Sequence, residues 1–152
     1  SGEKKLEVAE QVGQGAVKFA LLKSNVGENV TFDFGQSVSF NGASGPYIQY
    51  TYARAMSVLR KSGTEIGNES GELPREMLTI LSRYDEEVMK AGVEKAPNVI
   101  AGYLYEVAQR FNSFYNSNKI SGNQERLWLT QATAKVLKSG LGLLGIEAPE
   151  EM

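Results

Sequence analysis

The sequence predicts an all-α fold, a helical bundle with at most a short two-stranded ribbon near residues 30–40. Three observations lead there. Apolar residues recur at spacings of three and four through most of the 152 residues, as helices with one buried face require. Period-two alternation is confined to a single stretch, and 41% hydrophobic content at this length suits one compact domain with a real core.

Leu6, Val8, Ala9, Val12, Ala16, Val17, Ala20 and Leu21 mark a first helix over residues 4–23, with a bend or break expected at Gly13 and Gly15. Val30-Thr-Phe-Asp-Phe34 alternates and Val38-Ser-Phe40 follows, which is the whole basis for the ribbon. Asn41-Gly-Ala-Ser-Gly-Pro46 is turn-forming and delivers the chain into a helix from about Tyr47 to Lys61. Residues 62–72, with three glycines and one apolar member, are expected to form an exposed, protease-sensitive loop. Further helices are expected over 73–92, 97–117 and 122–144. In the 97–117 helix Val99, Ile100, Tyr103, Leu104, Val107, Ala108, Phe111 and Tyr115 form a stripe that is mostly core. Leu127, Leu129, Val136, Leu137, Leu141 and Leu144 do the same in the last helix, whose end Gly140, Gly142 and Gly145 let approach a neighbour or fray.

The chain has no cysteine and no histidine, which removes thiol nucleophiles, imidazole bases and Cys/His metal sites. No apolar run nears the roughly 20 residues of a membrane helix, so no membrane role is expected, and a cytoplasmic location is favoured. The start, Ser1-Gly2 with no initiator Met and no signal-peptide core, suggests a cloning remnant on a piece of a longer protein. Net charge is −2 but segregated: residues 47–64 carry +3 and 95–139 carry +4, against −1 for 1–46, −5 for 65–94 and −3 for 140–152. The two basic stretches are also rich in Tyr and Phe, a pairing that suits single-stranded RNA better than duplex DNA and is also common in plain helical bundles.

Most candidate sites reduce to bland readings. Gly13-Gln-Gly15-Ala16 follows no strand and lacks the third glycine and the lysine of a phosphate loop, and Asp85-Glu86-Glu87 points to different helix faces, as solvated carboxylates do. Arg126, Lys135 and Lys138 in the last helix suit either phosphates or a solubilising surface. Tyr47, Tyr50 and Arg54 share one helical face with Gln49 beside it, combining two stackable rings, a guanidinium and an amide, the groups that hold unpaired bases and phosphate. The alternative is that the two tyrosines are core with exposed hydroxyls.

Four blocks, in order, carry a family resemblance: Val12-Gly-Gln-Gly-Ala-Val-Lys-Phe19, Phe40-Asn-Gly-Ala-Ser-Gly-Pro-Tyr-Ile-Gln-Tyr-Thr-Tyr-Ala-Arg54, Tyr103-Leu-Tyr-Glu-Val-Ala-Gln-Arg-Phe-Asn-Ser-Phe-Tyr115, and Val136 through Met152 with its Leu-Gly-Ile-Glu turn. Together they resemble the C-terminal part of arginyl-tRNA synthetases over nearly the whole chain. The resemblance implies a helical bundle of the class I synthetase anticodon-binding type, over residues 41–152. Residues 1–40 then correspond to the connection from a catalytic domain whose His-containing ATP motif and Lys-Met-Ser-Lys-Ser-like loop are absent here. It implies recognition of the anticodon loop and stem of arginine tRNA and contact with that catalytic domain, but no independent catalysis and no cofactor in this fragment. The complete enzyme would be a ligase using ATP, arginine and Mg²⁺. Position by position, the anticodon-stacking tyrosine falls at Tyr115 and the C-terminal contact at Met152. The signature helix matches at Tyr47, Gln49, Tyr50 and Arg54, and Asn112, Arg126 and Lys135 complete the RNA-contacting candidates. The family usually has Arg before the final Met; Glu151 stands there instead, and loss of a cation beside phosphate should weaken that contact. The competing expectation is a helical module that docks protein, either the catalytic domain or an assembly partner.

Overall fold

The computed structural model describes residues 2–62 and 73–152. Among these every regular element is helical: α1 (Gly2–Leu22), α2 (Phe34–Ser37), α3 (Gly45–Ser62), α4 (Arg75–Ser82), α5 (Tyr84–Glu94), α6 (Pro97–Ser117) and α7 (Gln124–Leu143). The all-α expectation holds. The loop expected at 62–72 lies outside the described residues except for Ser62, the buried last residue of α3.

α3 packs against α7, α1 and α6, while α6 also meets α4, α5 and α7. Their apolar stripes meet in one core that includes Phe19, Ile48, Tyr52, Met77, Ile80, Leu104, Val107, Phe111, Leu137 and Leu141, each nearly fully enclosed. Burying one such side chain is worth about 1.5–3 kcal/mol. Ser44 caps α3, its Oγ accepting from Tyr47 N at 3.1 Å, with Pro46 in the first turn where its missing N–H costs nothing.

Three local expectations are corrected. First, α1 is continuous through Gly13 and Gly15. A Cβ on Gly15 would lie 2.6 Å from Gln49 Oε1, and one on Gly45 would overlap the Gly15 carbonyl oxygen. The glycine at 15 therefore serves close helix–helix approach rather than a break. Second, no ribbon forms over 30–40: residues 30–33 are irregular and Phe34–Ser37 is a single helical turn capped by Asp33, whose Oδ1 accepts from Gln36 N at 2.9 Å. The alternating residues lack a buried face, since Phe32 and Phe34 are 45% and 72% exposed, and the Asp-x-x-Gln capping pattern wins. Third, the helix expected over 73–92 is two helices parted at Arg83. The Ile80 carbonyl accepts the buried Tyr103 hydroxyl at 2.9 Å and the Arg83 N–H at 3.3 Å, so the break satisfies a phenol that burial keeps protonated.

At the other end, α7 stops in a Schellman motif: Ile146 N donates to Leu141 O and Gly145 N to Gly142 O, both at 2.9 Å, with Gly145 at φ +67° and Ile146 buried. This turn sends residues 146–152 back along the bundle.

Gly45→Ala should lower folding stability by about 1–3 kcal/mol, because backbone at both helices must give way. Gly13→Ala, which meets no atom within 4 Å, should be neutral or stabilise by up to about 1 kcal/mol. Urea denaturation of both variants checks the pair; equal effects would contradict the close-approach reading.

Candidate functional site

One face of α3 and the end of α6 form an exposed aromatic cluster around Arg54. The Arg54 guanidinium carbon lies 4.9 Å from the ring centre of Tyr50, one turn back on α3, and 4.9 Å from that of Tyr115 on α6. Cation–π attraction at such distances contributes about 0.5–2 kcal/mol per ring, depending on exposure. Arg54 Nη1 donates to Asn112 Oδ1 at 2.6 Å, and Asn112 Nδ2 donates to the Tyr47 hydroxyl at 3.0 Å and to Thr51 Oγ1 at 2.9 Å. Asn112 is thus the hub that fixes the guanidinium relative to both helices.

The rings differ in what they offer. Tyr47 is half-buried, edge-on to Tyr105 with ring centres 5.7 Å apart, close to the core reading with its hydroxyl toward the surface. Tyr50 and Tyr115 are 38% and 36% exposed; Phe40 stands edge-on to Tyr50 at 5.9 Å, and Phe111 backs Tyr115 at 6.4 Å. Tyr115 therefore ends its buried stripe in solvent.

The C-terminal segment completes the site. From Gly145 it crosses α1 and α3, taking hydrogen bonds from Lys18 Nζ to Gly145 O (2.5 Å), Gln49 Nε2 to Glu147 O (2.8 Å), Gln11 Nε2 to the Glu147 carboxylate (2.8 Å) and Arg60 Nη1 to Glu150 O (3.1 Å). Glu151 pairs with Lys4 at 2.5 Å and Arg60 at 3.5 Å; the Lys4 hydrogen bond and then the charges of Lys4 and Arg60 hold its carboxyl below the ordinary range. Met152 thereby lines both a hollow of about 600 Å³ with Phe40, Asn41, Tyr47, Tyr50 and Arg54, and one of about 410 Å³ with Tyr50, Arg54, Tyr115 and Lys61.

The structure therefore brings together Tyr47, Tyr50, Arg54, Asn112, Tyr115 and Met152. Gln49 is not among them. It is fully enclosed, donating to Gln11 O at 3.1 Å as well as to Glu147 O, and it presents nothing to a surface ligand. Arg126, which donates to Lys119 O at 2.9 Å, and exposed Lys135 sit on α7 and line neither hollow. Phe40 and Asn41, in the turn before α3, and Asn116, one turn beyond Asn112 on α6, also line the larger hollow; i, i+4 spacing from Asn112 could have found Asn116, whereas the turn residues carry no periodic signal. Glu87 pairs with Arg83, and no carboxylate group among the described residues has metal-site geometry.

Residues 48–152 match the model of the DALR anticodon binding domain. The arginine–tRNA ligase of Oenococcus oeni is 43% identical over 95% of this chain, and that of Pyrococcus furiosus is 38% identical over 99%. The chain spans 27% of the length of each. The arginyl-tRNA synthetase of Thermus thermophilus superposes with a TM-score of 0.82 at 33% identity, covering 96% of this chain and 27% of that one.

Asn112→Ala removes three hydrogen bonds and leaves the partly enclosed Arg54 guanidinium with only the longer bond to the Tyr50 hydroxyl, at 3.4 Å, among acceptors on the described residues. It should cost about 1–3 kcal/mol of stability in denaturant titration, against less than about 0.5 kcal/mol for exposed Asn116→Ala. Equal, negligible costs would remove Asn112 as the hub.

Proposed function

The chain belongs to the DALR anticodon-binding domain family of arginyl-tRNA synthetases, and from that premise we propose that it recognises the anticodon arm of arginine tRNA as part of an arginine–tRNA ligase. The observation that carries the reading is the convergence of two exposed rings, one guanidinium and a terminal thioether on the same hollows. Unpaired bases offer flat faces and unsatisfied edges. Tyr50 and Tyr115 supply stacking surface, each stack being worth about 1–3 kcal/mol. Arg54 has N–H groups beyond those given to Asn112, and they suit the acceptor edge of a base or a phosphate. Met152, flexible and apolar, covers a base from the opposite side. Arg126 and Lys135 are left for stem phosphates rather than for bases. Residues 1–40 form the connection to an upstream catalytic domain; ATP, arginine, Mg²⁺ and the ligase chemistry belong there, in the cytoplasm, and this chain has no independent catalysis.

One observation favours a second, compatible role in protein docking. Val8, Ala9 and Val12 of α1, with Phe40 and Met152, line an apolar hollow of about 560 Å³, and Leu6 is 74% exposed. Such a face suits the catalytic domain.

Tyr115→Ala should weaken binding to arginine tRNA by about 1–3 kcal/mol and shrink the preference over an anticodon-substituted tRNA, with a loss of stability limited to about 0.5–2 kcal/mol from its contact with Arg54. Enclosed Tyr52→Ala should instead cost about 3–5 kcal/mol of stability. A large fall in melting temperature for Tyr115→Ala, with affinity of the folded protein unchanged, would refute the platform.

Log affinity should fall linearly with log salt, and Arg54→Gln should reduce the slope by roughly 0.7–0.9 if the guanidinium meets phosphate. A flat response in the parent chain would favour protein docking over RNA.

A further inference from the structure

The last two residues pose a conflict of sign. A carboxylate beside RNA is repulsive, so Glu151 next to the candidate base site should weaken binding. Yet Glu151 does not face the hollow unaccompanied. Lys4 reaches it from α1 at 2.5 Å and Arg60 from α3 at 3.5 Å, and Arg60 also lies 4.0 Å from Glu150 and donates to the Glu150 carbonyl. The earlier anchors of the tail, at Gly145 and Glu147, grip it well before its end. The contact nearest Met152 along the chain is that of Glu151, and Met152 lines the ring-bearing hollows and the apolar hollow of α1 alike.

We propose that Glu151 is a positioning residue, a latch whose pairing with Lys4 and Arg60 holds Met152 at the junction of those hollows so that the thioether is already in place when a base enters. The proposal rests on the reading of the site as a base-binding hollow. Its physical logic is preorganisation: a free terminal residue would have to be ordered on binding, whereas a latched one is ordered in the free protein. The cations that make the latch come from two helices, so the tail is fixed against both. An arginine at 151 would meet Lys4 and Arg60 as like charges and release the tail. The depressed carboxyl pKa agrees with an ionised latch at neutral pH.

The test separates the latch from RNA binding. With ¹³C-methyl methionine labelling, the Met152 resonance is identified by its loss in Met152→Ala. In the absence of RNA, Glu151→Gln should move that resonance toward the random-coil position and sharpen it, and Lys4→Gln should do so to a smaller extent. With the anticodon stem-loop of an arginine tRNA as probe, Glu151→Gln should weaken binding about two- to fivefold, the range expected of an exposed ion-pair network. In a Met152→Ala background the same substitution should no longer weaken it. An unmoved methyl resonance overturns the latch. So does tighter binding by Glu151→Gln in the presence of Met152, which is what plain repulsion of RNA predicts. A parent chain that fails to bind the stem-loop refutes the base-binding reading, while the RNA-free resonance still decides the latch.

Discussion

The architecture hangs on one buried amide. Gln49 Nε2 donates to carbonyls of α1 and of the C-terminal segment, joining residues 38 and 98 positions away to α3. An enclosed amide nitrogen without acceptors would cost about 1–3 kcal/mol, so its two donations favour this placement of α1 and the tail, while the Gln49 Oε1 is enclosed without a partner. The approach is possible only because residues 15 and 45 have no Cβ. With Gln49, Ile48 and Tyr52 turned inward, Tyr50 and Arg54 are turned outward on the same helix, and the tail that Gln49 anchors is the one that ends in Met152. The proposed recognition surface is thus a consequence of a core contact.

Helical periodicity makes most of the fold legible, because α3, α6 and α7 each bury a long regular stripe. It fails where competing local bonds decide. Arg83 sits in a continuous apolar pattern, and at the break the Ile80 carbonyl accepts the Tyr103 hydroxyl from another helix, a contact that no local pattern reports. Asp33 is visible as a cap with Gln36 three residues on, but the alternation around it is the stronger pattern. For the site, i, i+3, i+7 spacing places Tyr47, Tyr50 and Arg54 on a common face, while the contributions of Asn112, Phe40 and the tail depend on tertiary contacts that no spacing reports. Gln49 shows the opposite error: adjacency to a functional face in sequence is not membership of it.

The fold also changes the meaning of the charge segregation. The +3 of residues 47–64 suggests an anionic ligand, and part of it is answered by the protein itself: Glu150 and Glu151 of the −3 tail lie against Arg60. What remains on the outward face is Arg54, held between two rings and an amide, and Lys61 at the rim of the smaller hollow. Few cations and several stacking surfaces are the balance expected of a site that reads splayed bases, whereas a site that tracks duplex phosphate would show the reverse.

That balance is testable residue by residue. Amide and methyl chemical-shift mapping of the ¹⁵N,¹³C-labelled chain, titrated with an arginine-tRNA anticodon stem-loop and with the same stem-loop carrying substituted anticodon bases, measures which atoms respond to base identity. The account predicts shifts that differ between the two RNAs at Tyr50, Arg54, Asn112, Tyr115 and Met152, with common, smaller shifts on α7 near Arg126 and Lys135. Identical maps for the two RNAs, or base-dependent shifts confined to α4 and α5, would contradict it.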